Sequence, residues 1–247
     1  LREAGAPVAM LGGVRFSRPW EVLRGRRALG RHLDAERPDV VVAHDCWPHA
    51  LAAPVARRRG LPVVLWMHTT PRGGGWLERL AARTVPDHLV CDSRFIEGVS
   101  ARVFPAGRPP RSVLYYPIAP PSMTPADRAD ARARLRRELG AADATTVVAL
   151  PARLTPYKGH ALLVDALGRL DHGLDWAAWI IGQAQQPAEV EHEARLRAEV
   201  ARLGLADRVR FLGFRDDVPA LLAAADVHCQ PNTGPEPFGI AFVEALD

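Results

Sequence analysis

Lysine and asparagine are nearly absent from this 247-residue chain: Lys158 and Asn232 stand alone, against 31 arginines. Positive charge written as arginine throughout reflects a GC-rich coding bias. The one lysine that survives it marks a position where a compact, rotatable ammonium serves better than a planar guanidinium fork. No apolar run approaches the ~18–20 residues of a membrane-spanning helix. The three cysteines, Cys46, Cys91 and Cys229, are odd in number and widely spaced in apolar surroundings. That argues against a disulfide framework and fits reduced core thiols in a cytoplasm. A Walker phosphate loop is missing, and no Gly-x-Gly-x-x-Gly follows a predicted strand, which lowers the case for a dinucleotide oxidoreductase. There are no internal repeats and no low-complexity tails. Aromatic residues make up 6% of the chain without a stacking platform, so a pI of about 9.4 does not by itself make a nucleic-acid binder. An initiator Met is missing as well. Leu1-Arg-Glu-Ala-Gly-Ala-Pro-Val8 reads as a helix end turning into a strand, not a signal peptide, so the chain is expected to begin inside a fold.

What the chain does have is 48% hydrophobic residues, in short runs that alternate with helical patterns. Strands are expected at Val8–Leu11, Val40–His44, Val63–His68, His88–Asp92, Ser112–Tyr115, Thr146–Leu150, Trp176–Ile181, Val209–Leu212 and Val227–Gln230. Helices are expected at Trp20–Glu36, Ala50–Arg59, Arg94–Val103, Pro125–Leu139, His160–Leu170, Glu189–Leu203, Val218–Ala224 and Phe238–Leu246. Alternation of this kind predicts doubly wound α/β layers. The proline-dense segment Pro117–Pro125 disfavours helix and reads as a stiff linker. Charge reverses there: residues 1–122 carry 18 arginines against 10 carboxylates, net +8, and residues 123–247 are net −4. Two domains are expected, 1–120 and 121–247, with ligand at the carboxyl ends of the strands. The basic half, with Arg24, Arg26, Arg27, Arg31 and Arg57–Arg59, suits an anionic membrane surface or an acidic acceptor. A solvated arginine-rich surface accounts for it equally.

Chemistry concentrates in the second half. Arg153 and Lys158 fall in the loop between strand Thr146–Leu150 and the next helix. Two cations beside a helix N-terminus suit a diphosphate, because free N–H groups and the helix dipole add to the side-chain charge. Downstream, Glu236 and Glu244 lie eight positions apart, the first in a Gly/Pro-rich loop and the second about two helical turns on. A helix rises ~12 Å over that span, so the pair addresses two ends of one extended ligand and is no close dyad. Carboxylates accept hydrogen bonds from vicinal hydroxyls, which makes a sugar or ribose the natural target.

The order Arg153-x4-Lys158-Gly, Ile180-Ile-Gly182, Val209-Arg-Phe-Leu-Gly213, Asp217-Val-Pro, Ala225-Asp-Val and Glu236-x7-Glu244 resembles the donor-binding half of the retaining, family 4 glycosyltransferases of the GT-B fold. Pro38-Asp-Val-Val-Val-Ala-His44, Leu61-Pro-Val-Val-Leu-Trp-Met-His68 and Pro86-Asp-His-Leu-Val-Cys-Asp-Ser93 are similar to the acceptor domain of that family. The resemblance implies two Rossmann-like domains facing a cleft, both incomplete here: a first strand with its Gly-rich loop, and the elements after Glu244, are not in the sequence. It implies a nucleotide-diphospho-sugar donor, a glycan, lipid or small-molecule acceptor, and no essential divalent metal or other cofactor. By the same resemblance Arg153 and Lys158 bind the diphosphate, Glu236 faces the sugar and Glu244 the ribose. Backbone amides of Phe238, Gly239 and Ile240 approach sugar and phosphates, and His68 lies near the reacting centre. A cytoplasmic enzyme, peripheral at the inner face of a membrane, is the expected setting.

Other readings weigh less. A sugar-nucleotide epimerase of similar architecture does not explain Arg-x4-Lys-Gly followed by Glu-x7-Glu, and a silent nucleotide-sugar or scaffold module is the remaining rival. His44-Asp-Cys-Trp-Pro-His49 matches no zinc framework. Ser93 reads as a helix cap, as do Asp216 and Asp217. The three glycines of Arg72-Gly-Gly-Gly-Trp76 suit either close approach to a ligand or an ordinary mobile loop.

Overall fold

The computed structural model describes residues 5, 7–105, 107–117, 123–171 and 173–246. The chain divides into two compact units, Leu1–Tyr116 and Pro117–Asp247. Most of the expected linker, residues 118–122, lies outside the described residues, as does most of the expected helix end at residues 1–6.

The first unit runs α1 (Pro19–Glu36), β1 (Val41–His44), α2 (Cys46–Arg57), β2 (Val63–Met67), α3 (Trp76–Ala82), β3 (His88–Cys91), α4 (Arg94–Ser100) and β4 (Arg111–Val113). Its four strands pair in parallel in the order β1-β2-β3-β4. Val63, Leu65 and Met67 of β2 are buried on one face, against Ala53 and Ala56 of α2 and Ile96 of α4 among others. Alternate residues point to opposite faces of a strand. The other face, with Val42, Val64 and Trp66, stays partly open.

Two expectations change here. The strand at Val8–Leu11 does not form: residues 7–15 hold no regular structure, and Met10 is 81% exposed. An apolar run becomes a strand only when a neighbour takes its backbone hydrogen bonds, and among the described residues none does. The glycine loop is tied down internally. The Glu78 carboxylate of α3 accepts the N–H groups of Arg72, Gly73, Gly74 and Gly75 at 2.7–3.0 Å. Burial opposes its ionisation, yet those four donors hold its pKa below the ordinary range.

The second unit runs α5 (Pro125–Leu139), β5 (Thr146–Pro151), a 3-10 turn (Pro156–Lys158), α6 (His160–Leu167), β6 (Trp176–Ile181), α7 (Pro187–Arg202), β7 (Val209–Gly213), α8 (Val218–Ala224), β8 (Val227–His228) and α9 (Ile240–Glu244). The start of α5 follows from its sequence: the Thr124 hydroxyl accepts the Asp127 N–H at 3.2 Å, Asp127 accepts the Thr124 N–H at 2.9 Å, and Pro125 occupies the first turn. Gly140, at φ 72°, ends the helix in the left-handed conformation. The parallel sheet has the order β7-β6-β5-β8. Alternate residues serve two cores. Leu150, Ala178 and Ile180 pack with α6 and α7 on one face; Val147, Ala149 and Trp179 pack with α5 and α8 on the other.

Asp226, from the Ala225-Asp-Val run, fastens α5 to this sheet. It accepts the Val147 N–H at 2.7 Å and pairs with Arg132 at 2.7 Å and with Arg136. Arg136 is 1% exposed and satisfied by the carbonyls of Ala224, Ala142 and Thr145 at 2.8–3.0 Å. A buried guanidinium is tolerable only with such complete pairing. Among the described residues, no helix is long and apolar enough to cross a membrane.

Candidate functional site

In the second sheet the chain steps outward from β5 to β6 and β7, then returns to place β8 on the other side of β5. The strand order therefore reverses between β5 and β8, and loops leaving the carboxyl ends of such a pair diverge to leave a crevice. Those two loops carry most of the predicted site. Lys158 ends the 3-10 turn after β5, and Glu236 lies in the loop after β8. The Lys158 ammonium donates directly to Glu236 Oε2, with the two side chains only 16% and 20% exposed. The same carboxylate oxygen accepts from Asn232 Nδ2 at 2.9 Å and from Gln230 Nε2 at 3.4 Å. Thus the chain's one lysine and one asparagine meet on one carboxylate.

Glycine makes this approach possible. At Gly159, φ is 81° and a Cβ would stand 1.9 Å from the Pro231 carbonyl oxygen, so only glycine lets the two loops touch. Thr233 N–H then bonds the Tyr157 carbonyl at 2.9 Å.

A pocket of about 240 Å³ opens at the ends of β5, β6 and β7, lined by Arg153, Gly182, Gln185, Phe214, Arg215 and Glu244 among others. Arg153 Nε lies 3.2 Å from Glu189 Oε1, and the other oxygen of Glu189 caps α7 by accepting the N–H groups of Gln185 and Gln186 at 2.7 and 3.2 Å. Gly182 admits no side chain, since a Cβ there would meet the Ala152 carbonyl at 2.1 Å. Its N–H bonds the Gly213 carbonyl at 2.8 Å, which joins the two strand-ending glycines.

The predicted residues therefore fall into two sets, Lys158 with Glu236 and Arg153 with Glu244. Phe238, Gly239 and Ile240 connect Glu236 to Glu244. Gly239, at φ 83°, packs against the Glu236 stem, a Cβ there falling 3.1 Å from Glu236 Cγ. One expectation is corrected: α9 begins at Ile240 and Glu244 is its fifth residue, little more than one turn in. Pro237 and the left-handed Gly239 keep the segment before it out of the helix. Arg215 was missed from sequence. It chelates Asp217 through Nε and Nη2 at 2.7 Å each, so Asp217 stands before α8 without a side-chain cap, against expectation. The signal was there: an Arg two residues before an acid in a turn.

His68 belongs to the first unit, directly after β2. Its Nε2 lies 2.7 Å from His44 Nδ1 at the end of β1, and its Nδ1 meets the Tyr116 hydroxyl. Burial lowers its pKa, with Asp45 opposing and His44 adding to the effect. Asp45 holds the turn, accepting the His68 and Thr69 N–H groups at 2.8 and 3.1 Å. Parallel register sets His44 opposite Trp66, so the two strand-end histidines neighbour each other. His44 and Tyr116 were not foreseen as partners of His68, because pairing across strands is invisible until register is known. Ser93 does cap α4, accepting the Ile96 N–H at 3.2 Å.

Residues 2–120 match the family described as Glycosyltransferase Family 4, and residues 131–247 match Glycosyl transferases group 1. The chain belongs to the family 4 glycosyltransferases. It is 33% identical over 238 residues to a GDP-mannose-dependent alpha-(1-6)-phosphatidylinositol monomannoside mannosyltransferase of Mycobacterium tuberculosis (strain CDC 1551 / Oshkosh), covering 87% of this chain and 60% of that protein. It is 38% identical over 104 residues to a phosphatidyl-myo-inositol mannosyltransferase of Mycobacterium leprae (strain TN), covering 41% and 25%. Among solved structures, Anabaena Alr3699/HepE in complex with UDP-glucose superposes with a TM-score of 0.76 at 26% identity, over 89% of this chain and 60% of that one. The chain thus spans at most about 60% of the length of these relatives. Two parallel four-stranded sheets with flanking helices agree with the GT-B glycosyltransferases.

Proposed function

We propose that this glycosyltransferase-family protein moves a sugar from a nucleotide-diphospho-sugar to an acceptor hydroxyl with retention of configuration. The observation that carries the reading is the meeting of Lys158 and Glu236 at the reversal of strand order, with Arg153 and Glu244 in the adjoining pocket. As the glycosidic bond breaks, negative charge grows on the leaving diphosphate. Lys158 and Arg153 stand at the strand ends, each on a carboxylate, and their positive charge, turned to the leaving group, stabilises it. These two cations take the role that a divalent metal plays in other transferases, so the reaction proceeds without one. Glu236, held by three donors, accepts from sugar hydroxyls while Lys158 swings to phosphate. Glu244 accepts from the ribose, and the backbone at Phe238, Gly239 and Ile240 closes on sugar and phosphates. His68 orients groups at the reacting centre.

Relatives named for GDP-mannose and phosphatidylinositol, and a neighbour bound to UDP-glucose, make GDP-mannose the first donor to assay and UDP-glucose the second. The acceptor is read as anionic or lipid-borne, met by the basic first unit from the cytoplasmic side of a membrane. Transfer of radiolabelled sugar, tested against hydrolysis and no turnover, decides between this reading and a silent nucleotide-sugar module. Turnover that requires added Mg2+ and vanishes with chelator would reject the metal-independent mechanism.

A further inference from the structure

The buried stripe of α7 turns polar where it passes the loop after β5. Glu189, His192, Leu196 and Val200 are its buried residues, spaced three or four apart so that they share one face. Leu196 and Val200 join the apolar core with Leu163 and Val164 of α6. Glu189 stands in the first turn, its side chain 8% exposed beside that of Arg153, which is 47% exposed.

A buried carboxylate is costly unless it is paired, and Glu189 divides the task between its oxygens. Oε2 accepts the N–H groups of Gln185 and Gln186 at the helix start. Oε1 lies 3.2 Å from Arg153 Nε. Burial lowers the pKa of His192, one turn on, so its ring is neutral at pH 7 and brings no rival cation to the carboxylate.

The atom by which the arginine is held matters, because Nε is the inner nitrogen of the guanidinium. Among the described residues neither Nη of Arg153 makes a hydrogen bond, so the outer edge of the fork stays open to two oxygens of a phosphate. Arg215 lines the same pocket and shows the contrast. Its Nε and Nη2 chelate Asp217 at 2.7 Å each, and its Nη1 reaches Glu138 at 3.2 Å. That fork is used up, whereas Arg153 is anchored at its base and open at its tip. Capping α7 does not by itself call for an acid at position 189. A glutamine oxygen would accept the same two N–H groups and bring no negative charge to a diphosphate site.

We propose that Glu189 is a positioning residue for donor binding, holding Arg153 by Nε so that its Nη edge meets the diphosphate. The proposal rests on the reading of Arg153 as a diphosphate ligand.

Calorimetric titration of the whole chain with GDP and with UDP tests it through double-mutant cycles. Arg153→Ala should weaken binding about tenfold or more. Glu189→Gln keeps the cap and removes the hold; it should weaken binding roughly two- to tenfold, the equivalent of immobilising one long side chain anew. Its melting temperature should change little, whereas Glu189→Ala loses the cap as well and should melt lower. Added to Arg153→Ala, Glu189→Gln should cost nothing more, because it acts through the arginine; added to Lys158→Ala, it should cost its full factor. An equal further loss in both backgrounds would make the effect a general structural one. Unchanged or tighter binding by Glu189→Gln alone would make Glu189 a cap only. Either result overturns the proposal while leaving Arg153 as a ligand. If wild type binds neither nucleotide, or Arg153→Ala binds as wild type does, the diphosphate reading itself fails and this proposal with it.

Discussion

The two units use the same parts and treat charge and surface in opposite ways. In residues 117–247 the sheet is covered on both faces, by α6 and α7 on one side and by α5 and α8 on the other. That unit is net −4, and its cations at the strand ends, Arg153, Lys158 and Arg215, all have carboxylate partners. In residues 1–116 one face of the sheet is buried while Val42 on the other is 45% exposed, and the unit is net +8. A sheet gripped from both sides fixes the loops at its strand ends, so ions there can be held ready for a reacting group. A basic surface with unpartnered forks suits reversible contact with something anionic.

The largest effect that would break this contrast is on stability. Asp226→Ala removes the partner of a 1% exposed arginine and leaves a buried charge uncompensated. We expect about 3–5 kcal/mol of destabilisation, measured by urea denaturation. A surface pair in the first unit, removed by Asp34→Ala, should cost far less, because both partners stand in water. Equal losses would mean the two units are held by similar means after all.

Next comes the donor site. Lys158→Ala should weaken nucleoside-diphosphate binding by ~1.5–3 kcal/mol, and Lys158→Arg should restore it only in part, because a fork cannot occupy the ammonium's position. Glu236→Ala should mainly depress turnover, while Glu244→Ala should mainly raise the donor's dissociation constant, since ribose contacts exist in ground and transition states alike. Steady-state kinetics of the two variants separates these patterns; the reverse would mean their roles are exchanged.

A smaller effect lies in pH. Burial, with His192 and then Lys158 adding to it, pushes the pKa of His160 down to about 4. The unfolded chain takes up that proton near pH ~6.5, and the folded one only near pH 4. The unfolded state therefore binds more protons in that window, and the stability present above pH ~6.5 drains away as pH falls towards 4. His160→Leu should flatten the pH dependence of the second unit's melting temperature between those limits. An unchanged slope would assign the acid sensitivity to other groups.

Much of this was legible in the sequence. The limits of α5 and α8 and of β6 were foreseen to the residue, because Thr124-Pro-Ala-Asp127 is a capping box and Trp176–Ile181 is a continuous apolar run. Arg153, Lys158, Glu236 and Glu244 stand out in the sequence by their spacing, and Lys158 also by its rarity. What escaped were features that depend on a partner elsewhere in the chain. Val8–Leu11 has the composition of a strand and no neighbour to pair with. α3 went unnoticed because its seven residues are too few for a periodic pattern to stand out. His44 joins His68 through strand register, and Lys158 joins Glu236 across 78 residues through a glycine whose missing Cβ is legible only in three dimensions. Both ring nitrogens of His68 are engaged by protein groups, contacts that no local pattern of residues announces.

The central claim, that Lys158 is the diphosphate ligand at the strand-order reversal, is tested most directly by calorimetric titration of the chain with GDP and UDP. At least one should bind to wild type, about tenfold or more weaker to Lys158→Ala, and unchanged to His68→Ala in the other unit. Equal affinity of wild type and Lys158→Ala for the diphosphate that binds would contradict the account.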